Sequence, residues 1–184
     1  MKEYVSDIAF TDSVKAIQSQ YGSRDSYAKI EKEWWPDVVT HDLAAFISER
    51  DSFYMATVNS EGQPYIQHRG GSKGFLKVLD ERTLAFADFS GNRQYISYGN
   101  LEENNKVSLF LMDYPNQSRI KIWGTAVVKN DDQDLIKQLS DADYKGRAER
   151  AFIITITAWD GNCRQHITPR YNLEEIADLG EDLR

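Results

Sequence analysis

The chain has 184 residues, enough for one domain with its own core and short for two. Apolar residues at 41% and aromatics at 12% exclude a disordered polypeptide. A formal charge of −7 excludes a general nucleic-acid or anionic-membrane binder, although 22 Lys and Arg leave room for a local basic pocket for one small anion. One cysteine, Cys163, allows neither an intrachain disulfide framework nor a cysteine-rich zinc site. No stretch approaches the roughly 20 apolar residues of a membrane span, and no signal-peptide pattern opens the chain. The expectation is a soluble cytoplasmic protein.

The first 50 residues read as helical. Asp12 or Ser13 is placed to cap a segment with Val14, Ile17 and Tyr21 at helical spacing, interrupted by Gly22 and Ser23. A second helix is expected over 27–35, ended by Pro36. A third, over 42–50, sets Leu43, Phe46 and Ile47 on one side. This region carries no evident chemistry and reads as packing and lid material; His41 in it reads as solvated or capping.

From Ser52 onward the pattern changes to short strands and turns. Residues 53–58 and 64–69 flank the turn-rich run Asn59-Ser60-Glu61-Gly62, residues 75–79 and 83–88 flank 80–82, and residues 106–112 and 118–129 flank 114–117. In the longest strand Ile120, Ile122, Gly124, Ala126 and Val128 share one face, opposite Arg119, Lys121, Trp123, Thr125 and Val127. A β-branched strand follows over 151–159. Short helices are expected over 94–103 and 131–140, and the acidic tail from Asn172 is a short helix or a frayed end. Six or seven antiparallel strands in hairpins, preceded by helices, favour a mainly β (α+β) single domain built as a small barrel.

Three segments have the composition of a binding site. In Gln67-His68-Arg69-Gly70-Gly71-Ser72-Lys73-Gly74, glycines beside Arg and Lys let backbone amides approach an anion. The spacing is not that of a P-loop, and from composition alone a glycine-rich connection with solvated charges is the favoured reading. Asp88-Phe89-Ser90-Gly91-Asn92-Arg93-Gln94 runs from a strand end into a helix start, where free amides and Arg93 suit a phosphate; the other reading is that Ser90 or Asn92 merely caps the helix. The run from Trp159 to Tyr171 sets Asn162, Gln165, His166 and Arg170 among aromatics, the residue types that bond the edge and cover the face of a heteroaromatic ring. His166 lacks partners at metal-ligand spacing and Cys163 lacks a paired base, so neither metal binding nor nucleophilic catalysis is expected. His68, beside Arg69, faces either the pocket or the core.

Taken in order, these segments resemble the pyridoxamine 5'-phosphate oxidase-related, FMN-binding split-barrel proteins. The resemblance runs through Phe53-Tyr54-Met55-Ala56-Thr57-Val58, His68 to Lys77, Leu84-Ala85-Phe86-Ala87-Asp88 and Gly91 to Leu101, then Asn162-Cys163-Arg164-Gln165-His166-Ile167-Thr168-Pro169-Arg170. It implies a split β-barrel that pairs into a homodimer with two FMN molecules in the clefts between chains. By that resemblance, His68, Arg69, Gly70, Gly71, Ser72 and Lys73 line the flavin or its phosphate. Phe86, Ala87 and Asp88 contact the ribityl chain or ring, Arg93 and Gln94 hold the phosphate, and Asn92 belongs to the same cofactor site. Arg119 stands where the oxidases commonly carry a Gln near the ring. Cys163, Gln165, His166 and Arg170 belong to a segment that covers the ring from the partner chain. The oxidases' C-terminal Arg and His pair is not reproduced, so the resemblance implies an FMN-dependent oxidoreductase of a different, unidentified substrate. A flavin carrier or sensor without turnover, or a relative that holds deazaflavin or haem, shares the same implied barrel.

Overall fold

A computed structural model describes residues 3–33, 35–161 and 164–182, with side chains through Asp178. Among these residues seven strands form one antiparallel sheet in the order β2-β1-β5-β6-β7-β4-β3. The strands are β1 (Ser52–Val58), β2 (Pro64–Gly70), β3 (Lys77–Val78), β4 (Thr83–Phe89), β5 (Lys106–Asp113), β6 (Ser118–Lys129) and β7 (Ala148–Gly161). The expected hairpins are all present. β3 is shorter than expected because Phe75 and Leu76 leave the ladder and are buried instead.

The sheet curls until its two ends face each other. Phe53 on β1 lies 5.3 Å from Phe86 on β4, ring centre to ring centre, although the two strands are four places apart in the sheet. Phe75 stacks on Phe53 at 5.5 Å and Phe152 on Phe86 at 5.0 Å, so four rings fill the interior. Aromatic pairs of this kind add to the energy of burial itself. β2 and the β3–β4 edge do not pair through backbone bonds, and the barrel remains split there.

Alternation sets which side chains enter. On β4, Leu84, Phe86 and Asp88 point inward, whereas Ala85 and Ala87 are buried on the other side with Ile136 and Leu139. Those last two belong to α5 (Gln133–Leu139), and the small alanines let it lie close to the sheet. On β6 the expected inward face is observed through Ala126. A bulge interrupts the β6–β7 ladder between Trp123 and Gly124. There a Cβ on Gly124 would sit 2.2 Å from the Thr155 carbonyl oxygen. Any side chain there forces the β6 and β7 backbones to shift.

Helix α4 (Ile96–Glu103) follows β4 and docks across β1 and β2 through two polar contacts. Asn100 Nδ2 donates to Thr57 Oγ1 at 2.9 Å in a buried setting, and Ser97 Oγ donates to Gln67 Oε1 at 2.8 Å. These bonds fix where α4 begins, beside the split. α4 starts two residues later than expected because Arg93 and Tyr95 take left-handed backbone angles, with φ of 59° and 54°.

The N-terminal helices α1 (Asp12–Gln20), α2 (Arg24–Glu33) and α3 (His41–Ser48) are present with shifted ends. Thr11 rather than Asp12 or Ser13 caps α1, and Thr40 caps α3, leaving His41 solvated. A polar knot ties α1 to α2: buried Glu31 meets Arg24 and lies 3.4 Å from Lys15, whose ammonium also bonds Asp7 at 2.6 Å. Trp35 then packs against Phe10 and Trp123, and the Trp159 indole donates to the Val38 carbonyl at 2.8 Å, fastening this unit to β6 and β7. The tail forms α6 (Leu173–Asp182). Among the described residues no helix is long and apolar enough to cross a membrane.

This packing can be tested at two places. Gly124→Ala should lower stability by about 1–3 kcal/mol through overpacking against the β7 backbone, read as a fall in Tm; an unchanged Tm refutes the close approach. The Asp7 carboxyl is held down at about 2 by the Lys15 ammonium and then by the Tyr4 and Glu3 amides. Its stabilising contribution is therefore complete above the unfolded carboxylate value, ~3.9, and is lost as pH falls toward 2. Limited proteolysis of the N-terminal unit should accelerate across that window, and Asp7→Asn should remove most of the pH dependence.

Candidate functional site

The inward pleat of the two facing edges brings opposite charges to the split. Arg69 points in from β2, Asp88 from β4, and Arg150 lies opposite Asp88 in the β4–β7 register. Asp88 bridges the two: Oδ1 accepts from Arg69 Nη1 at 2.5 Å and Oδ2 from Arg150 Nη1 at 2.8 Å. Arg150 Nη2 also reaches Glu149 Oε2 at 3.0 Å. All three bridging side chains are only 10–13% exposed, so the charges interact with little solvent screening.

Rings hold both guanidiniums in place. Arg69 lies over Phe152 at 4.8 Å and Phe86 at 5.6 Å; Arg150 lies over Tyr95 at 5.0 Å and Tyr98 at 5.7 Å. Burial pushes the Arg69 guanidinium down, with Asp88 opposing that effect. Burial acts on Arg150 in the same sense, but Asp88, Tyr95 and Glu149 together outweigh it and raise its value. Ser90, by hydrogen bonding, and then the neighbouring arginines hold the Glu149 carboxyl below its usual range. Both arginines carry charge at neutral pH.

The bridge forms the floor of a hollow of about 210 Å³ between β2, β4, β7 and the start of α4. Gln67, Asn92, Arg93 and Ser97 complete much of its wall. Three guanidiniums, of Arg69, Arg93 and Arg150, face two carboxylates, so the lining has an excess of positive charge. No side chain caps α4, because Tyr95 occupies the capping position, and the first amides of the helix stand beside the same hollow. Two closely spaced exceptions to normal backbone preference, at Arg93 and Tyr95, shape the loop that leads there. A second hollow of about 140 Å³ shares Gln67, Arg69, Asp88 and Phe89 with the first and adds His68, Gly70 and Phe86. The Arg69–Asp88 pair is the pinch between them.

Of the residues expected in a site, Arg69, Asp88, Asn92 and Arg93 line the larger hollow, and His68, Gly70, Phe86 and Ala87 the smaller. The Ala87 side chain is buried under α5, so only its backbone is available to the groove. His68 faces outward, with its ring against Tyr54. Gln94 donates its amide to Asn92 Oδ1 and lines neither hollow. The glycine segment turns away within one chain. The Gly71 and Gly74 amides bond the Asp51 and Arg50 carbonyls, Ser72 acts to hold the Asp141 carboxyl below its usual range, and Lys73 pairs with Glu49. Gly71 and Gly74 are required by packing: a Cβ would meet the Phe75 ring at 2.7 Å and the Ser48 carbonyl oxygen at 2.9 Å.

Arg119 projects from the outer face of β6, half-buried, with its Nε lacking a partner. Gln165 and His166 are exposed on the turn after β7, which Gln117 anchors by a 2.6 Å bond to the Ile167 carbonyl. Arg170 lies over the Tyr114 ring at 4.8 Å, beside a separate cavity of about 780 Å³ that Lys73 also lines. None of these four reaches the charged hollow of its own chain. Cys163 and its neighbour Asn162 lie outside the described residues. Sequence reasoning missed Arg150, Glu149, Tyr95 and Tyr98. The last strand read from residue 151 left out its charged start, and only pairing with β4 reveals that Glu149-Arg150 abuts Asp88.

Comparison with known proteins agrees with this architecture. The family model described as pyridoxamine 5'-phosphate oxidase matches residues 39–163. A search of curated proteins gave no match. Among solved structures, HupZ of Group A Streptococcus is 18% identical with a TM-score of 0.55, covering 72% of this chain and 99% of its own. A putative pyridoxamine 5'-phosphate oxidase from Lactobacillus delbrueckii is 22% identical with a TM-score of 0.53, covering 68% and 95%. An FMN-binding protein from Syntrophomonas wolfei is 13% identical with a TM-score of 0.51, covering 82% and 97%. The family match spans more than half of the chain, and the shared fold accords with it: the protein belongs to the pyridoxamine 5'-phosphate oxidase family.

Proposed function

We propose that this protein is an FMN-binding flavoprotein, an FMN-dependent oxidoreductase that works as a homodimer with flavins shared between chains. The carrying observation is the charged hollow at the split. Its guanidiniums, the uncapped start of α4 and the excess of positive charge fit a phosphate. An FMN-binding neighbour with the same fold supports the choice of cofactor.

The hollows of about 210 and 140 Å³ adjoin at the split. The phosphate end of FMN fits in one chain, and the ring then extends toward a second copy. That placement gives Arg119 and the exposed Gln165 and His166 of the second copy a role at the ring edge. FMN, when bound, supplies the redox chemistry. The chain's own residues bind and orient it: Arg93 closes the phosphate end from the loop, and Asp88 keeps two cations aimed at one place. No residue of the hollow need act as a nucleophile.

The purified protein should be yellow, release FMN on denaturation and sediment at twice the chain mass. A colourless protein that takes up no added FMN overturns the cofactor, and a monomer overturns the shared site. Reduction of the bound flavin by NADH or NADPH supports an oxidoreductase; resistance to both donors, with small acceptors also inert, marks a carrier. Arg93→Ala should weaken FMN about 3- to 10-fold and leave riboflavin nearly unchanged, measured by fluorescence titration.

A further inference from the structure

We infer that Arg150 is the specificity-determining residue of this site, the one that makes it select a phosphate monoester, and that Asp88 is its positioning residue. The inference rests on the FMN reading for the identity of the ligand and on the hollow for everything else.

Three cations line the hollow, and they are not equivalent. Arg69, on β2, is held between the Phe86 and Phe152 rings and by Asp88 at the pinch between the two hollows, away from the helix start. Arg93 is exposed and makes no hydrogen bond or ion pair among the described residues, so nothing fixes its fork before a ligand arrives. Arg150 is held as Arg69 is, and of the two it is the one that stands at the boundary of β7 and α4. Asp88 and Glu149 each take one of its terminal nitrogens. The Tyr95 and Tyr98 rings flank its plane, and Asn130 Nδ2 fixes the Tyr98 hydroxyl at 2.6 Å. A planar fork fixed in advance loses little freedom on binding an anion.

The arrangement is also incomplete. Arg150 Nε, like Arg69 Nε, is buried with no acceptor, and the α4 start beside Arg150 has no capping side chain. Buried donors are almost always satisfied in folded proteins, and here residues with unpaired donors, Arg69 and Arg150, line one hollow together with the uncapped start of α4. A phosphate monoester brings several acceptor oxygens and a double negative charge, which suit the excess of guanidiniums and the uncapped helix start. A neutral hydroxyl suits neither.

The test is a paired titration of FMN and riboflavin, by flavin fluorescence, against wild type, Arg150→Gln, Arg150→Lys and Arg93→Ala. Arg150→Gln should weaken FMN about 10- to 100-fold and riboflavin by less than about 3-fold, a larger loss than Arg93→Ala produces. Arg150→Lys keeps the charge without the fork and should still lose part of the discrimination. Asp88→Asn, which leaves the cation but not its aim, should lower the same FMN-to-riboflavin ratio, and a merely structural role would lower both affinities alike. Equal losses for the two flavins in Arg150→Gln, or a loss smaller than that of Arg93→Ala, overturn the inference. If Arg150→Gln does not fold, the ratio in Arg150→Lys decides in the same way. If wild type binds no flavin, thermal melting in inorganic phosphate separates the two claims. A rise in Tm that Arg150→Lys abolishes keeps the anion seat and removes the FMN reading, whereas no rise in wild type removes both.

Discussion

Asp88 joins two edges of a sheet that backbone hydrogen bonds leave apart. A seven-stranded sheet that curls but does not close must manage its open edges, and here an aspartate on β4 receives one arginine from β2 across the gap and a second from its own ladder neighbour β7. The pair costs desolvation, which four flanking rings and good geometry offset. The remainder of the region depends on it. The bridge sets how far β2 stands from β4, and the hollow, its pinch and the aim of Arg150 all derive from that spacing.

Helix α4 adds the second constraint. Its bonds to Gln67 and Thr57 place its first turn over β2 rather than leaving it to solvent. The left-handed residues before it belong to the same device, because they turn the chain from the end of β4 into that helix. Strain in a loop, an uncapped helix and concentrated like charges all oppose stability when considered singly. Their coincidence at one hollow, beside a core that is otherwise well packed, is what marks the hollow as a place for a ligand.

The N-terminal helices stand largely outside the span that matches the family, which begins at residue 39. They nevertheless reach the barrel through buried contacts, the Trp159 bond to Val38 and the Phe10–Trp35–Trp123 ring contacts. Their own cohesion comes from Glu31 and its cations, a polar knot rather than an apolar seam.

Much of the fold was legible in the residues alone. Alternation along 118–129 and turn chemistry at 59–62 and 114–117 determine strands locally, because side-chain period and backbone preference act over a few residues. The phosphate-suited stretch from Asp88 to Arg93 was likewise readable, as a cation beside a helix start. Tertiary structure decided the rest. It separated Arg69 from the glycines that follow it, since Gly71 and Gly74 serve backbone packing. It turned Ala87 away from the groove that Asp88 enters, through the pleat. It brought Arg150 to Asp88 from 62 positions along the chain. No local pattern encodes that meeting, because it follows from strand register and from the curl that the core rings impose.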